Sequence, residues 1–233
     1  MKDLMGLAIL DYQNGNYSED IITATHISSN DVLPLPYLFR EYDQMPLIEQ
    51  MALDRTTGKV LDVGCGAGSH SLYLQEKGLD VTAIDVSEGS VKACLKRGIK
   101  KAFQKNVLDE SGRYDTIISL MNGTGWFQSL EMAPRYLNHL KSLLKPGGQI
   151  LIDSSDIRYM YDHDAFELIK LSRERYYGEL EYYLSYKGES EVPMHWLYLD
   201  MDTFKQLSMA SGLKFECITS GEHYDYLARL TCQ

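Results

Sequence analysis

The chain has 233 residues, of which 44% are hydrophobic and 24% charged, and its formal net charge is −10. This length predicts one domain with one substantial core, and an acidic chain without a run of Lys and Arg is not expected to bind nucleic acid. The four cysteines lack metal-ligand spacing. No signal-peptide pattern and no run of about eighteen apolar residues is present, so the sequence predicts a cytoplasmic protein with no metal and no membrane partner.

Residues 1–57 are predicted to form an N-terminal helical lid. The apolar spacing over 3–13 indicates a short helix, and a polar stretch follows as far as Pro36. A second helix then begins, and Pro46 interrupts or kinks it because proline cannot continue the backbone hydrogen bonding.

Short apolar runs alternate with amphipathic stretches over residues 58–156, which are predicted to be a cofactor-binding core. This alternation is typical of a doubly wound α/β fold, with ligands bound at the carboxyl ends of the strands. Residues 157–199 form a Tyr-rich insertion after the fifth strand, with a hairpin at Lys187-Gly188, predicted to cover the substrate. Residues 200–233 are predicted to form a final helix and two antiparallel strands. The whole chain is thus predicted as a single domain (1–233) built on a seven-stranded, mostly parallel sheet.

A glycine-rich turn lies in "VLDVGCGAGSHSLYL" between a buried strand and the start of a helix. Glycines there allow a tight turn and a close approach of backbone N–H groups to a ligand. The dinucleotide fingerprint places its third glycine three residues after the second, whereas Gly68 comes only two residues after Gly66. The spacing therefore argues against an NAD-dependent oxidoreductase.

Two aspartates accompany this turn. Asp62 lies two residues before Gly64, where a carboxylate would repel a pyrophosphate and favour a cationic ligand. Asp85 ends the second strand of the core, where an acidic side chain can accept hydrogen bonds from ribose hydroxyls. The alternatives are that Asp62 caps the turn and that Asp85 caps the next helix, for which Ser87 is an equal candidate.

Residues 58–153 resemble the class I S-adenosylmethionine-dependent methyltransferases. The likeness is carried by "VLDVGCGAG", by "AIDVS", by "YDTIISL" and by "LLKPGGQILID", in that order. The resemblance implies a Rossmann-like methyltransferase fold with S-adenosyl-L-methionine as cofactor. It also implies that Asp62 and the loop with Cys65 hold the methionine part, and that Asp85 holds the ribose. Val86, next to Asp85, is a further cofactor-binding candidate.

Other cofactor contacts are implied by the same resemblance. Asn106-Val107 stands where the family often has an acidic and then a small residue reading the adenine edge, and Asp109 is a rival for that role. Met121 and Asn122 follow the fourth strand, where the family places residues against the transferable methyl group. An upstream arginine pairs with the cofactor carboxylate in some relatives, and Arg40 is the candidate here, with a solvated surface arginine as the alternative.

The substrate side of the site is expected in "MNGTGWFQ" and in the Tyr-rich insertion. Trp126 is a substrate-binding candidate, although it also suits packing against the following helix. Tyr159 and His195 are further candidates in the insertion. His195 and Asp153 are the candidate catalytic groups, and His70 in the cofactor helix is a further histidine of interest.

The predicted function is methyl transfer from S-adenosylmethionine to an N, O or C atom of a small molecule. Two alternative functions remain open. One is a non-catalytic S-adenosylmethionine-binding protein on the same fold, since fold does not establish function. The other is a protein or RNA methyltransferase, against which stand the acidic charge and the absence of an Asn-Pro-Pro-Tyr type motif after the fourth strand. The sequence leaves the oligomeric state open.

Overall fold

The computed structural model describes residues 2–172 and 175–233. Its described α-helices are α1 (Leu4–Gln13), α2 (Leu35–Leu38), α3 (Leu47–Arg55), α4 (Ser69–Glu76), α5 (Glu88–Lys96), α6 (Ala133–Ser142), α7 (His163–Ser172) and α8 (Met201–Ala210). Its described strands are β1 (Ile21–Thr25), β2 (Ser28–Leu33), β3 (Lys59–Val63), β4 (Asp80–Asp85), β5 (Ala102–Gln104), β6 (Tyr114–Ser119), β7 (Leu144–Ser155), β8 (Glu179–Tyr186), β9 (Glu189–Ser190), β10 (Met194–Leu197), β11 (Leu213–Ser220) and β12 (Asp225–Cys232).

A seven-stranded sheet forms the centre of the fold, in the order β11-β12-β7-β6-β3-β4-β5. Strand β12 runs antiparallel to both of its neighbours, β7 and β11. The pairs among β7, β6, β3, β4 and β5 are all parallel. The prediction of a doubly wound, mostly parallel sheet with one antiparallel strand near the end of the chain is therefore confirmed.

The central strands are apolar because both faces of the sheet are covered. Leu61 and Ile117 point into a cluster that contains buried residues of α6. Their neighbours Val60 and Ile118 point to the other face, into a cluster with buried residues of α3. Successive side chains of a strand alternate between faces, so a continuous apolar run is what a doubly covered parallel strand requires.

A second, antiparallel sheet has the order β10-β8-β1-β2, with β9 paired to β8. Strands β1 and β2 come from the predicted N-terminal lid, and β8 to β10 come from the predicted insertion. The expectation of a purely helical lid is wrong here, since residues 21–33 contain a hairpin. Its strands are short and half polar, and β1 pairs with residues far along the chain, so the local sequence carries little strand signal. The predicted turn at Lys187-Gly188 is confirmed, with φ of 51° and 71°, as two-residue hairpin loops require.

Helix α1 packs directly against the start of α5. Asp3 caps α1 by accepting a hydrogen bond from Gly6 N at 3.0 Å, and the same carboxylate accepts from Gly89 N at 2.9 Å. A Cβ atom on Gly89 would lie 2.3 Å from the backbone of Gly6. The two glycines therefore allow the N-terminal segment to dock next to the strand end that carries Asp85. Within the described ranges, no helix has the length and apolar character needed to cross a bilayer.

Candidate active site

A cavity of about 140 Å³ lies at the carboxyl ends of β3 and β6. The glycine loop, the segment after α2, the loop between β6 and α6, and strand β10 surround it. Its lining residues are Leu38, Arg40, Val63, Gly64, Cys65, Gly66, Ala67, Ser69, His70, Ser119, Leu120, Met121, Asn122, Gly123, Trp126 and Trp196. The structure thus gathers the glycine loop, Arg40, Met121, Asn122 and Trp126 of the sequence prediction around one space.

The glycine loop turns sharply from β3 into α4. Gly64 and Gly66 have φ of 74° and 52°, and a Cβ atom on either would meet nothing within 4 Å. Their side of the loop is therefore open to a ligand, while the backbone conformation disfavours any other residue. Gly68 has a different role, because a Cβ atom there would lie 2.4 Å from Ile99 Cδ1; it lets α4 pack closely.

Asp85 lies where β4 ends and is tied to the glycine loop. One carboxylate oxygen accepts a hydrogen bond from Gly66 N at 2.9 Å and the other from Ser87 N at 2.9 Å. Burial raises the pKa of this carboxyl. Each carboxylate oxygen can accept a further hydrogen bond, so the geometry suits an acceptor for ligand hydroxyls beside the loop.

Asp62 lies beneath the loop, with 2% of its surface exposed. Its carboxylate accepts a hydrogen bond from Ser71 Oγ at 2.6 Å, and burial raises its pKa. Asp62 is not among the residues that line the cavity. Its hydrogen bond with Ser71 holds the start of α4 under the glycine loop.

A buried ionic cluster closes one side of the cavity. Arg40 Nη2 donates hydrogen bonds to both oxygens of Glu49, and Glu49 Oε2 lies 2.7 Å from His70 Nε2. The Arg40 guanidinium lies 3.9 Å above the ring of Tyr37. Burial alone would raise the pKa of Glu49, but His70 and Arg40 together hold it below its ordinary value. Arg40 Nε is buried and has no hydrogen-bond partner among the described residues. Glu49 was not among the site residues expected from the sequence.

The loop after β6 carries two consecutive residues in the left-handed region, Met121 with φ of 68° and Asn122 with φ of 62°. The Asp153 carboxylate holds this loop, accepting hydrogen bonds from Asn122 N at 2.9 Å and Gly123 N at 2.7 Å. Burial raises the pKa of Asp153 to about 6. Both oxygens are engaged by backbone groups and Asp153 does not line the cavity, so it is placed to support the loop rather than to touch a substrate. The amide oxygen and nitrogen of the Asn122 side chain are buried without a partner.

Two indole rings complete the wall. Trp126 donates from Nε1 to Ser119 Oγ at 2.9 Å and meets the ring of Tyr136 on α6 edge-on at 5.0 Å. It therefore both lines the cavity and packs against the following helix. Trp196 on β10 was not predicted, and it lies so close to the loop that a Cβ atom on Gly125 would come within 1.9 Å of its ring.

Several predicted site residues lie outside this cavity. His195 is exposed because it precedes Trp196 in β10, and neighbouring residues of a strand face opposite sides. Tyr159 is 57% exposed and stacks on Tyr224 at 5.1 Å. Val86 is 67% exposed next to Asp85.

The residues after β5 also lie outside the cavity. Asn106 and Asp109 are exposed, and Asn106 accepts a hydrogen bond from Leu108 N at 2.9 Å. Val107 is buried in the core.

Comparison with known proteins assigns this arrangement to a family. The profile of a methyltransferase domain matches residues 37–218. A solved S-adenosylmethionine-dependent methyltransferase from Bacteroides fragilis, in complex with S-adenosyl-L-homocysteine, is 42% identical over 99% of this chain and 95% of that one, with a TM-score of 0.90. Glycine N-methyltransferase from Rattus norvegicus is 30% identical over 122 residues, which is 44% of this chain and 42% of that protein. The ubiquinone biosynthesis O-methyltransferase of Bordetella avium is 29% identical over 46% of each chain.

A doubly wound sheet with a glycine loop and an acidic strand end defines a nucleoside-binding α/β protein. The chain belongs to the methyltransferase-domain family, as a class I S-adenosylmethionine-dependent methyltransferase. Its cofactor is S-adenosyl-L-methionine, in keeping with the S-adenosyl-L-homocysteine held by the Bacteroides fragilis structure. The residues present fit this cofactor, because the loop is open at Gly64 and Gly66 and the cavity wall carries a buried guanidinium N–H without a partner. The chain spans less than half the length of the curated relatives named above.

Proposed function

We propose that this protein transfers the methyl group of S-adenosylmethionine to an N, O or C atom of a small molecule held between Trp126 and Trp196. The observation that carries this proposal is that both indoles line the same cavity as the glycine loop. The end of α2 also contacts the start of α4 beside the loop, since Leu38 O accepts a hydrogen bond from Ser69 Oγ at 2.9 Å. A net charge of −10 favours a small acceptor over a nucleic acid.

The cofactor is expected to lie along the ends of β3, β4 and β5. Asp85 would accept from its ribose hydroxyls, with Val86 and Asn106-Val107 beside the adenine. The backbone of the glycine loop, with Cys65 and Asp62 beneath it, would hold the methionine part. Arg40, whose side chain lines the cavity, would pair with the carboxylate of that part.

The reaction needs little chemical activation by protein side chains. When bound, the cofactor supplies a methyl group that its sulfonium already activates. The protein would align the attacking atom behind that methyl group and exclude water. Trp126 and Trp196 would flank the acceptor, and the Asn122 carboxamide, which has no protein partner, would offer it a donor and an acceptor.

The cofactor assignment is tested by calorimetric titration with S-adenosylmethionine, S-adenosylhomocysteine and NAD. Asp85→Ala is expected to weaken both adenosyl compounds by about tenfold or more, because a charged hydrogen-bond acceptor is lost. Asp80→Ala, at the exposed opposite end of the same strand, is the matched control and should bind like the wild type. Preference for NAD, or equal affinities in the two variants, would contradict the proposed site.

The acceptor class is tested separately by measuring release of S-adenosylhomocysteine. Small amines, phenols and hydroxy acids are offered as one set, and total RNA at physiological salt as another. Turnover with a member of the first set supports the proposal and identifies the attacking atom. Turnover with RNA alone would show that the acceptor is a macromolecule, and cofactor binding without any turnover would favour a non-catalytic binding protein.

A further inference from the structure

We infer that Glu49 is a positioning residue for cofactor selectivity: it orients the Arg40 guanidinium so that the site recognises the amino-acid part of its cofactor. The inference rests on the proposed pairing of Arg40 with the cofactor carboxylate. Glu49 itself is only 4% exposed and is not among the cavity-lining residues. Its hydrogen-bonding partners are Arg40 and His70, both of which line the cavity.

Three separate elements meet at Glu49. It lies in the first turns of α3, Arg40 follows α2, and His70 lies in the first turn of α4, next to the glycine loop. Each carboxylate oxygen receives a hydrogen bond from Arg40, and Oε2 also lies 2.7 Å from His70 Nε2. A single carboxylate therefore fixes the N-terminal segment to the cofactor helix at the wall of the cavity.

The contacts fix the Arg40 side chain at the wall of the cavity. Glu49 takes Nη2, the carbonyl of Tyr37 takes Nη1, and the Tyr37 ring lies against the guanidinium plane. Nε is then the buried nitrogen without a partner. Because the long side chain is already ordered, binding to it costs less conformational entropy.

The charge of Glu49 and the position of its carboxylate predict opposite effects of substitution on cofactor affinity, so the role can be tested. If the charge of Glu49 dominated, it would repel the cofactor carboxylate, and its removal would strengthen binding. If position dominates, the reach of the side chain matters more than its charge. A Gln at this position keeps the reach, since its oxygen accepts from Arg40 and its amide donates to a neutral His70 ring. An Asp keeps the charge but is one methylene too short to serve both partners.

The test compares S-adenosylhomocysteine with 5′-methylthioadenosine, which has the same adenosine and thioether but lacks the amino-acid part. Calorimetric titrations are made on wild type, Glu49→Asp, Glu49→Gln and Arg40→Met. Glu49→Asp is expected to weaken S-adenosylhomocysteine about tenfold or more and to change 5′-methylthioadenosine by less than about twofold. Glu49→Gln is expected to remain within about threefold of the wild type for both ligands. Glu110→Gln, which alters a buried glutamate bonded to Gly112 N and Lys105, is the control and should leave both affinities unchanged.

Two results would overturn the inference: an unchanged ratio of the two affinities in Glu49→Asp, whether neither ligand or both are weakened, or tighter S-adenosylhomocysteine binding in Glu49→Gln. Equal weakening would mean that Glu49 only supports the fold. Arg40→Met separates this inference from the proposed function. If Arg40→Met does not change the ratio either, the proposed carboxylate contact itself is wrong, whereas a changed ratio in Arg40→Met alone would refute only the role of Glu49.

Discussion

The Asp153 carboxylate, at the end of β7, holds Asn122 in a left-handed conformation through its backbone N–H, at 2.9 Å. A neighbouring bond to Gly123 N completes the contact. A non-glycine residue with positive φ is uncommon, and asparagine tolerates it better than most. The buried aspartate therefore determines the path of the loop that carries the unpartnered carboxamide into the cavity wall.

The first prediction concerns Asp153→Asn and pH. Burial raises the pKa of Asp153 from 3.8 to about 6 in the folded protein. A carboxyl with a raised folded pKa contributes most to stability below pH 4 and loses that contribution as the pH rises through 6. The stability of the wild type relative to Asp153→Asn should therefore fall between pH 4.5 and 7.5, by at most roughly 3 kcal/mol. Urea unfolding of both proteins across this range measures the difference.

The charged and titratable groups that face Asp153 are Glu49 and His70, and it also influences the phenols of Tyr37, Tyr198 and Tyr226. Asp80→Asn is the control. A hydrogen bond from Lys101 holds the pKa of Asp80 below its ordinary value, so its contribution titrates below this pH range. A difference that rises with pH for Asp153→Asn, or one as flat as that of the control, would contradict the prediction.

The second prediction uses the two tryptophans of the sequence, Trp126 and Trp196. Both line the cavity, so binding of S-adenosylhomocysteine should change the intrinsic tryptophan fluorescence, measured with selective excitation of the indole rings. Trp126→Phe and Trp196→Phe should each retain part of the change. His195→Ala should retain all of it, because that side chain is exposed on the other side of β10. Binding seen by calorimetry without any spectral change would show that the ligand lies elsewhere.

The third prediction concerns the contact between α1 and α5. A helical Gly→Ala exchange ordinarily stabilises a protein by up to about 1 kcal/mol. Gly89→Ala should instead destabilise this protein by about 1–3 kcal/mol, since the new methyl would lie 2.3 Å from the backbone of Gly6. Chemical denaturation measures the sign directly. Lys92→Ala, at an exposed position of the same helix, should change stability by less than about 0.5 kcal/mol, and stabilisation by Gly89→Ala would contradict the close contact.

The fourth prediction concerns the thiols. Cys217 and Cys232 are exposed, whereas Cys65 and Cys94 are buried with their sulfurs 3.7 Å apart. The hydrogen bond with Cys94, together with burial, raises the pKa of the Cys65 thiol well above its ordinary value, and the thiolate is the reactive form. A disulfide reagent at pH 7.5 should therefore modify two thiols rapidly and the other two only after denaturant is added.

The double variant Cys217→Ser/Cys232→Ser is the control for this assignment. It should lose the rapid phase and keep the slow one. Rapid modification of the double variant would mean that the glycine loop, which contains Cys65, opens to solvent much more often than its burial implies.

The sequence located those parts of the candidate site whose placement depends on local structure. The glycine loop and Asp85 follow directly from a strand, a turn and a strand end, so their neighbours in sequence are also their neighbours in space. Glu49 and Trp196 were missed because their positions depend on packing between distant segments. The sequence singled out His195, whereas its neighbour Trp196 lines the cavity, because in a strand one residue decides which face a side chain occupies.

The pairing of β1 with β8 also has a consequence for the order in which parts of the protein can fold during synthesis. Ile22 lies opposite Ser185, and a ribosome adds only about 5–20 residues per second. The glycine loop and strands β3 to β7 therefore leave the ribosome while β1 still lacks this partner, and the contact must then close a very long loop of chain. Strand β1 therefore joins its sheet only after β8 has been synthesised, and the glycine loop is synthesised before β10, which carries Trp196 of the cavity wall.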